Sequence, residues 1–156
     1  MKGDEAKLIE ILNNRKVTRY LSQRIPQPYT LEDAAWWIND GSTQGFIFAI
    51  VLDEQLIGCV GAEPGQFEHA ITAEIGYWLA ENYWGNGIAT KALAMLEQRI
   101  PKNSGIKRLQ ASVFEGNLGS SRVLEKSGYE KQGYFPQAVC KNNETYDLSI
   151  YGKALS

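Results

Sequence analysis

The chain reads as one mixed α/β (α+β) domain, an open twisted β-sheet with helices packed on its faces. Three observations predict this. Two β-rich runs, Gly45 to Leu52 and Gln55 to Ala62, flank the turn Asp53-Glu54 and form an antiparallel hairpin. A strand at Ile71 to Ala80, an amphipathic helix from Gly87 to Arg99 and an alternating strand at Ile106 to Phe114 follow in the order of a crossover between parallel strands. Hydrophobic residues form 44% of the 156 residues, enough for one core of ordinary size. Residues 1–156 are expected to be a single domain, because no repeat, low-complexity segment or internal linker interrupts them.

Each element has its own local cause. Lys7 to Leu12 is read as helical from Leu8, Ile9, Ile11 and Leu12. Val17 to Leu21 continues as a short turn, and Ile25 to Tyr29 is a connector bounded by Pro26 and Pro28. Thr30 and Asp33 have the spacing of a capping box, so Leu31 to Asn39 is a helix that ends near Gly41 and carries Trp36 and Trp37. Glu63 to Glu68 is a loop. In the helix from Gly87, the residues Ile88, Ala92, Met95, Leu96 and Ile100 form one apolar face, and Pro101 stops it. Leu109, Ala111 and Val113 alternate with Gln110 and Ser112, the pattern of a strand. Leu118 to Ser127 is a helix closed by Gly128. Tyr129 to Val139 and Thr145 to Tyr151 are the last strands, joined through Asn142-Asn143.

Composition excludes several function classes. A net charge of -2 gives no electrostatic footprint for nucleic acid. The longest apolar run, Phe46 to Leu52, is far short of the roughly 20 residues of a membrane span, and the N-terminus has no signal-peptide core. Cys59 and Cys140 both sit in apolar or strand-like context and are expected to be buried thiols. No metal-ligand spacing is present. His69 is the only histidine and has nothing around it to build a histidine-based triad. A cytoplasmic, metal-free protein is the expectation.

The stretch Tyr83 to Thr90, YWGNGIAT, points to a ligand. Gly85 and Gly87 let the backbone approach a bound group closely, and the following helix aims free N–H groups and its positive dipole end at the same place. That is an anion cradle suited to a cofactor pyrophosphate. Taken alone, the loop is equally an ordinary strand-to-helix turn. A magnesium–nucleotide phosphate loop is a poor reading, because the Gly-Lys-Ser/Thr ending is missing.

The segments EIGYWL at 74–79, YWGNGIAT at 83–90, and Asn117-Leu118-Gly119-Ser120 followed by EKSGY at 125–129 together resemble the GNAT superfamily of N-acetyltransferases, in particular its RimJ/RimL-type branch. The resemblance covers about residues 15–152. It implies a central twisted mixed sheet with an antiparallel N-terminal part and a diverging parallel strand pair. It also implies acetyl-CoA as co-substrate, with the amides of Trp84, Gly85, Asn86, Gly87, Ile88, Ala89 and Thr90 around its pyrophosphate. Tyr77, Trp78 and Leu79 would pair with the pantetheine arm, one of the amides near Trp78 and Leu79 would meet the developing oxyanion, Asn117 would contact the pantetheine, and Ser120 would lie near the thiol. The chain departs from the family pattern in three respects. Asn82 stands where a Gln or Arg is usual, the chain starts on a helix where the branch has a further strand, and Leu124 stands where many members place a tyrosine general acid. The region around Val139 also lacks the acid some relatives carry.

Acetyl transfer from a thioester needs a neutral amine close to the carbonyl, a donor for the oxyanion and a partner for the departing thiolate. An α-amine, with a pKa of about 7.7–8.0, is far closer to reactive at neutral pH than a lysine at about 10.4. Glu74, an acid in an otherwise apolar strand, is the candidate base, with desolvation expected to strengthen it; its other reading is a solvent-facing or paired strand residue. Glu115 is the reserve. Ser120 is the candidate donor to the thiolate, and Asn117 is equally suited to capping a helix. Lys91 and Lys126 are either phosphate helpers or solvated helix residues, and Arg19 and Arg24 either attract an acidic acceptor or are surface charge. Trp36, Trp37 and Tyr20 fall where the superfamily builds its acceptor wall. The expected reaction is direct attack by an amine, most simply a protein or peptide N-terminus. A small-molecule amine such as a polyamine, aminoglycoside or amino acid, or a non-catalytic acyl-CoA-binding module, are the alternatives. Exposed strand edges make a homodimer plausible.

Overall fold

The computed structural model describes residues Met1–Ser156. Helix α1 (Glu5–Leu12) buries Leu8, Ile11 and Leu12. The short helix α2 (Arg15–Thr18) starts at Asn14, whose side chain accepts from the Lys16 N–H. Helix α3 (Leu31–Asn39) opens with the expected reciprocal cap: Asp33 N–H donates to Thr30 Oγ1, and Thr30 N–H donates to the Asp33 carboxylate. Strands β1 (Phe46–Leu52) and β2 (Gln55–Pro64) pair antiparallel. Asp53 and Glu54 between them both take left-handed φ, 49° and 64°, which matches the twist of a tight hairpin.

Strand β3 (Thr72–Leu79) runs antiparallel to β2. Helix α4 (Ile88–Arg99) then carries the chain across to β4 (Arg108–Phe114), which is parallel to β3. Helix α5 (Leu118–Lys126) leads to the long hairpin of β5 (Glu130–Lys141) and β6 (Glu144–Ala154), turned at Asn142 and Asn143 with φ 51° and 66°. The sheet order is β1-β2-β3-β4-β6-β5, so the mixed sheet with an antiparallel first half and one parallel pair is the fold the sequence predicted. The last strand inserts beside β4 and leaves β5 at the edge, an order that strand patterning does not specify. Both strands of this hairpin extend beyond their expected bounds.

The sheet is covered on both faces. One core gathers Leu93 and Leu96 of α4, Leu124 of α5 and sheet residues such as Val60, Ile75, Leu109 and Tyr151. A smaller core packs Leu8, Leu12, Tyr29 and Ala34 against Leu56. Removing a fully buried leucine such as Leu109 costs about 2–5 kcal/mol, so these contacts hold the sheet that carries the site. The thiol expectation holds for one cysteine only. Cys59 is buried, and burial pushes its thiol up to about 12, whereas Cys140 lies on the exposed edge strand. No helix is long and apolar enough to cross a membrane.

Candidate active site

The site begins where β3 and β4 part. Their parallel pairing covers only Thr72↔Arg108, Ala73↔Leu109 and Glu74↔Gln110. Beyond that point β3 stays paired to β2 through Leu79, and β4 to β6 through Phe114, so the two strands splay apart. Backbone alternation fixes what the opening contains. Ala80 N–H donates to Ile57 O on the β2 side, so Trp78 turns its amide the same way, while Tyr77 and Leu79 turn theirs into the opening. Trp78 thus lines the groove through its side chain, and the oxyanion donor expected around Trp78 and Leu79 narrows to the groove-facing amides of Tyr77 and Leu79.

The splay opens into a groove of about 1540 Å³. Glu74, Tyr77, Trp78, Leu79, Trp84, Gly85, Gly87, Ile88, Ala89, Thr90, Asn117 and Ser120 all line it. Asn86, expected in the cradle, does not; its side-chain amide turns back to the Tyr83 and Trp84 carbonyls at 3.3 and 3.2 Å. It shapes the loop through that contact. A second internal staple, Trp84 Nε1 to Leu79 O at 2.8 Å, fastens the same loop to the end of β3.

The expected cradle is present as geometry. Gly85 and Gly87 both have φ 75°, and a Cβ on either would meet nothing within 4 Å. Gly87 occupies the N-cap position of α4 with no side-chain cap, which leaves the N–H groups of Ile88, Ala89 and Thr90 directed outward as free donors. Uncapped donors, a positive dipole end and open space over two glycines are what a pyrophosphate needs. On the facing element, Asn117 caps α5: its Oδ1 accepts from Ser120 N–H at 3.3 Å. Ser120 Oγ lies 2.7 Å from the Tyr77 hydroxyl, a contact between β3 and α5 that the sequence reading missed. Burial pushes the Tyr77 phenol up from its ordinary range, partly opposed by the bond to Ser120. Leu124 is fully buried in the main core, so α5 presents no acid at that position.

Glu74 departs from its expected surroundings. It is exposed, because alternation places it on the face opposite Ala73 and Ile75 and next to solvent. Its Oε1 accepts from Ser112 N–H at 3.2 Å and Ser112 Oγ at 3.0 Å, and its Oε2 accepts from Gln110 Nε2 at 3.1 Å. Ser112 N–H is the donor that the next rung of the β3–β4 ladder would use. The Glu74 carboxylate therefore sits as a wedge at the apex of the splay while also facing the groove. Glu74 is thus solvent-exposed, where burial was expected, and it keeps its place at the groove. Glu115, the reserve, is engaged by Asp147 N–H at 2.9 Å and lies outside the groove lining.

One wall of the groove is aromatic. Trp37 packs in the smaller core with its indole N–H buried and without a partner, whereas Trp36 is 56% exposed; both line the groove. Tyr20 lines it as well, with the Arg19 guanidinium 5.0 Å from its ring centre. A residue without any sequence signal completes this wall. Lys141 is buried, and its ammonium donates to the carbonyls of Thr18 and Leu21, tying the end of β5 to the segment after α2. Desolvation holds its pKa below the ordinary lysine value.

The comparisons with known proteins agree with this geometry. Residues 1–130 match the acetyltransferase (GNAT) domain family. Over 98 residues, 63% of the chain, it is 33% identical to the uncharacterized N-acetyltransferase YoaA of Bacillus subtilis (strain 168). Over 109 residues, 70% of the chain, it is 28% identical to the ribosomal-protein-serine acetyltransferase of Escherichia coli (strain K12). The chain spans 55% of the first relative's length and 60% of the second's. The microcin C7 self-immunity acetyltransferase MccE, solved with acetyl-CoA and AMP, superposes with a TM-score of 0.79 at 25% identity, covering 97% of this chain and 87% of that one.

The splayed sheet with an uncapped helix end at its opening fits the fold that the acetyltransferase (GNAT) domain family describes. The chain belongs to the GNAT acetyltransferase family.

Proposed function

We propose that the acceptor is the α-amine of a protein or peptide N-terminus, as in the RimJ/RimL-type branch. The charge of the groove carries this reading. Its lining holds Lys16, Arg19, Arg24, Arg122, Lys126 and Lys141 against the acids Asp33, Glu63 and Glu74. That balance repels polyamines and aminoglycosides, which need an acidic lining. The groove also exceeds the roughly 300–1,000 Å³ of a small-ligand pocket, so it has room for a chain end beside the co-substrate. The likeness to a ribosomal-protein acetyltransferase supports the same class of acceptor.

Acetyl-CoA supplies the acetyl group as a thioester. In this reading the uncapped amides of Ile88, Ala89 and Thr90 hold its pyrophosphate, and the free edge of Tyr77 and Leu79 pairs with its pantetheine arm. The nitrogen lone pair of the amine forms the new bond to the carbonyl carbon, and the C–S bond breaks with its electron pair on sulfur. One proton passes from nitrogen to Glu74 and on to solvent, and solvent returns one to the sulfur. The products are an N-acetyl amine and a free thiol. The amides of Tyr77 and Leu79 face the developing oxyanion, and Ser120 Oγ–H hydrogen-bonds the departing sulfur.

The test is thiol release from acetyl-CoA with a peptide pool bearing free N-termini, the same pool blocked at its N-termini, and a polyamine. Release with the free pool alone supports the reading. Release with the polyamine, or equal release with the blocked pool, refutes the α-amine acceptor.

A further inference from the structure

We propose that Tyr77 is a positioning residue whose hydroxyl aims the Ser120 proton at the departing sulfur. The inference rests on the reading of Ser120 as the thiolate's hydrogen-bond donor.

A serine hydroxyl has one proton and two lone pairs, and its proton rotates to the best acceptor in reach. In the first turn of a helix that proton readily finds a backbone carbonyl. Here the Tyr77 hydroxyl lies 2.7 Å from Ser120 Oγ and 3.4 Å from Ser120 O. A phenol is the more acidic partner, so Tyr77 donates and Ser120 Oγ accepts. One lone pair of Ser120 Oγ is then occupied, and its own proton is left to turn toward the groove. Asn117 Oδ1 fixes the backbone of the same residue through its N–H. The serine is thus held at both ends of its Cα–Oγ vector by groups from two elements.

Burial keeps the Tyr77 phenol above its ordinary range, so the hydroxyl stays protonated and able to donate to Ser120 Oγ. Its bond to Ser120 polarises the serine O–H and strengthens the bond from Ser120 to sulfur. The Tyr77 ring meanwhile packs against the main core, so Tyr77→Phe keeps the packing and deletes only the hydroxyl.

The experiment measures the ionisation of the CoA thiol itself, by ultraviolet absorbance of the protein–CoA complex against pH, for wild type, Ser120→Ala, Tyr77→Phe and the double variant. Calorimetric titration with acetyl-CoA verifies the site in each. Wild type should lower the thiol pKa below that of free CoA. Tyr77→Phe should weaken the ionisation constant by about three- to tenfold. Ser120→Ala should weaken it more, and the double variant should match Ser120→Ala. A wild-type complex with the thiol pKa of free CoA, or Ser120→Ala indistinguishable from wild type, overturns the Ser120 reading and this proposal with it. A clear effect of Ser120→Ala with none from Tyr77→Phe overturns the proposal alone. So does a Tyr77→Phe effect that persists in full without Ser120.

Discussion

Gly87→Ala separates the backbone cost of the cradle from its ligand role. Gly87 holds φ 75° and ψ 7°, the left-handed well, and an added Cβ meets nothing within 4 Å. The methyl therefore fits the empty protein. Left-handed backbone costs an L-residue about 1–2 kcal/mol, offset in part by about 0.4–1 kcal/mol from a stiffer unfolded chain. The net loss lowers Tm by about 2–4 °C per kcal/mol for a chain of this size. Ligand binding should suffer more. The methyl enters the groove above the free N–H groups of Ile88, Ala89 and Thr90 and holds a phosphate away from them. One lost hydrogen bond to a charged group is worth about 1.5–3 kcal/mol, or roughly 10- to 150-fold in Kd. Gly105→Ala is the control. Gly105 has φ 82° and equally open surroundings, but it lies outside the groove lining. Calorimetric titration with acetyl-CoA and thermal unfolding are run on both variants. The two should lose similar Tm, and only Gly87→Ala should lose affinity. If Gly87→Ala binds acetyl-CoA within about twofold of wild type, the cradle assignment is wrong.

Glu74→Gln keeps an acceptor for Ser112 N–H and, with a flip of the Gln110 amide, the whole wedge, but removes the base. Turnover should fall at least about 100-fold with Tm nearly unchanged; wild-type turnover would reduce Glu74 to a structural role. Asp147 is held below the usual carboxylate range, first by the Tyr134 hydroxyl and then by Gln137 N–H. Its folded-state pKa is depressed, so it contributes stability that is present above the ordinary carboxylate range and lost as pH falls through the folded value. The Tm gap between wild type and Asp147→Asn should be largest near neutral pH and close in acid; a gap independent of pH refutes the linkage.

Local features are legible in the sequence and distant contacts are not. The capping box at Thr30 and Asp33, the turn at Asn142-Asn143 and the glycine cradle each depend on residues a few positions apart, and the sequence displays them directly. The Tyr77–Ser120 contact joins residues 43 apart, and Lys141 meets carbonyls more than a hundred residues upstream. No periodicity encodes such meetings, because they arise only once the sheet order is set. Glu74 illustrates the middle case. Alternation placed it on the same face as Gly76 and Trp78, but that face is open to solvent at the splay, and an apolar neighbourhood in sequence became an exposed one in space.

The open edge of β3 also joins ligand occupancy to the rigidity of the sheet. Between Glu74 and Leu79 the strand has a neighbour on one side only. An extended arm laid along that edge would act as a guest rung, closing a ladder that the polypeptide leaves unfinished. A ligand that binds only the folded chain at a hundred times its Kd adds about 2.7 kcal/mol to stability. The amides of Tyr77 and Leu79 would then exchange with solvent more slowly, so the enzyme would be stiffest while loaded and would slacken each time its product thiol departs.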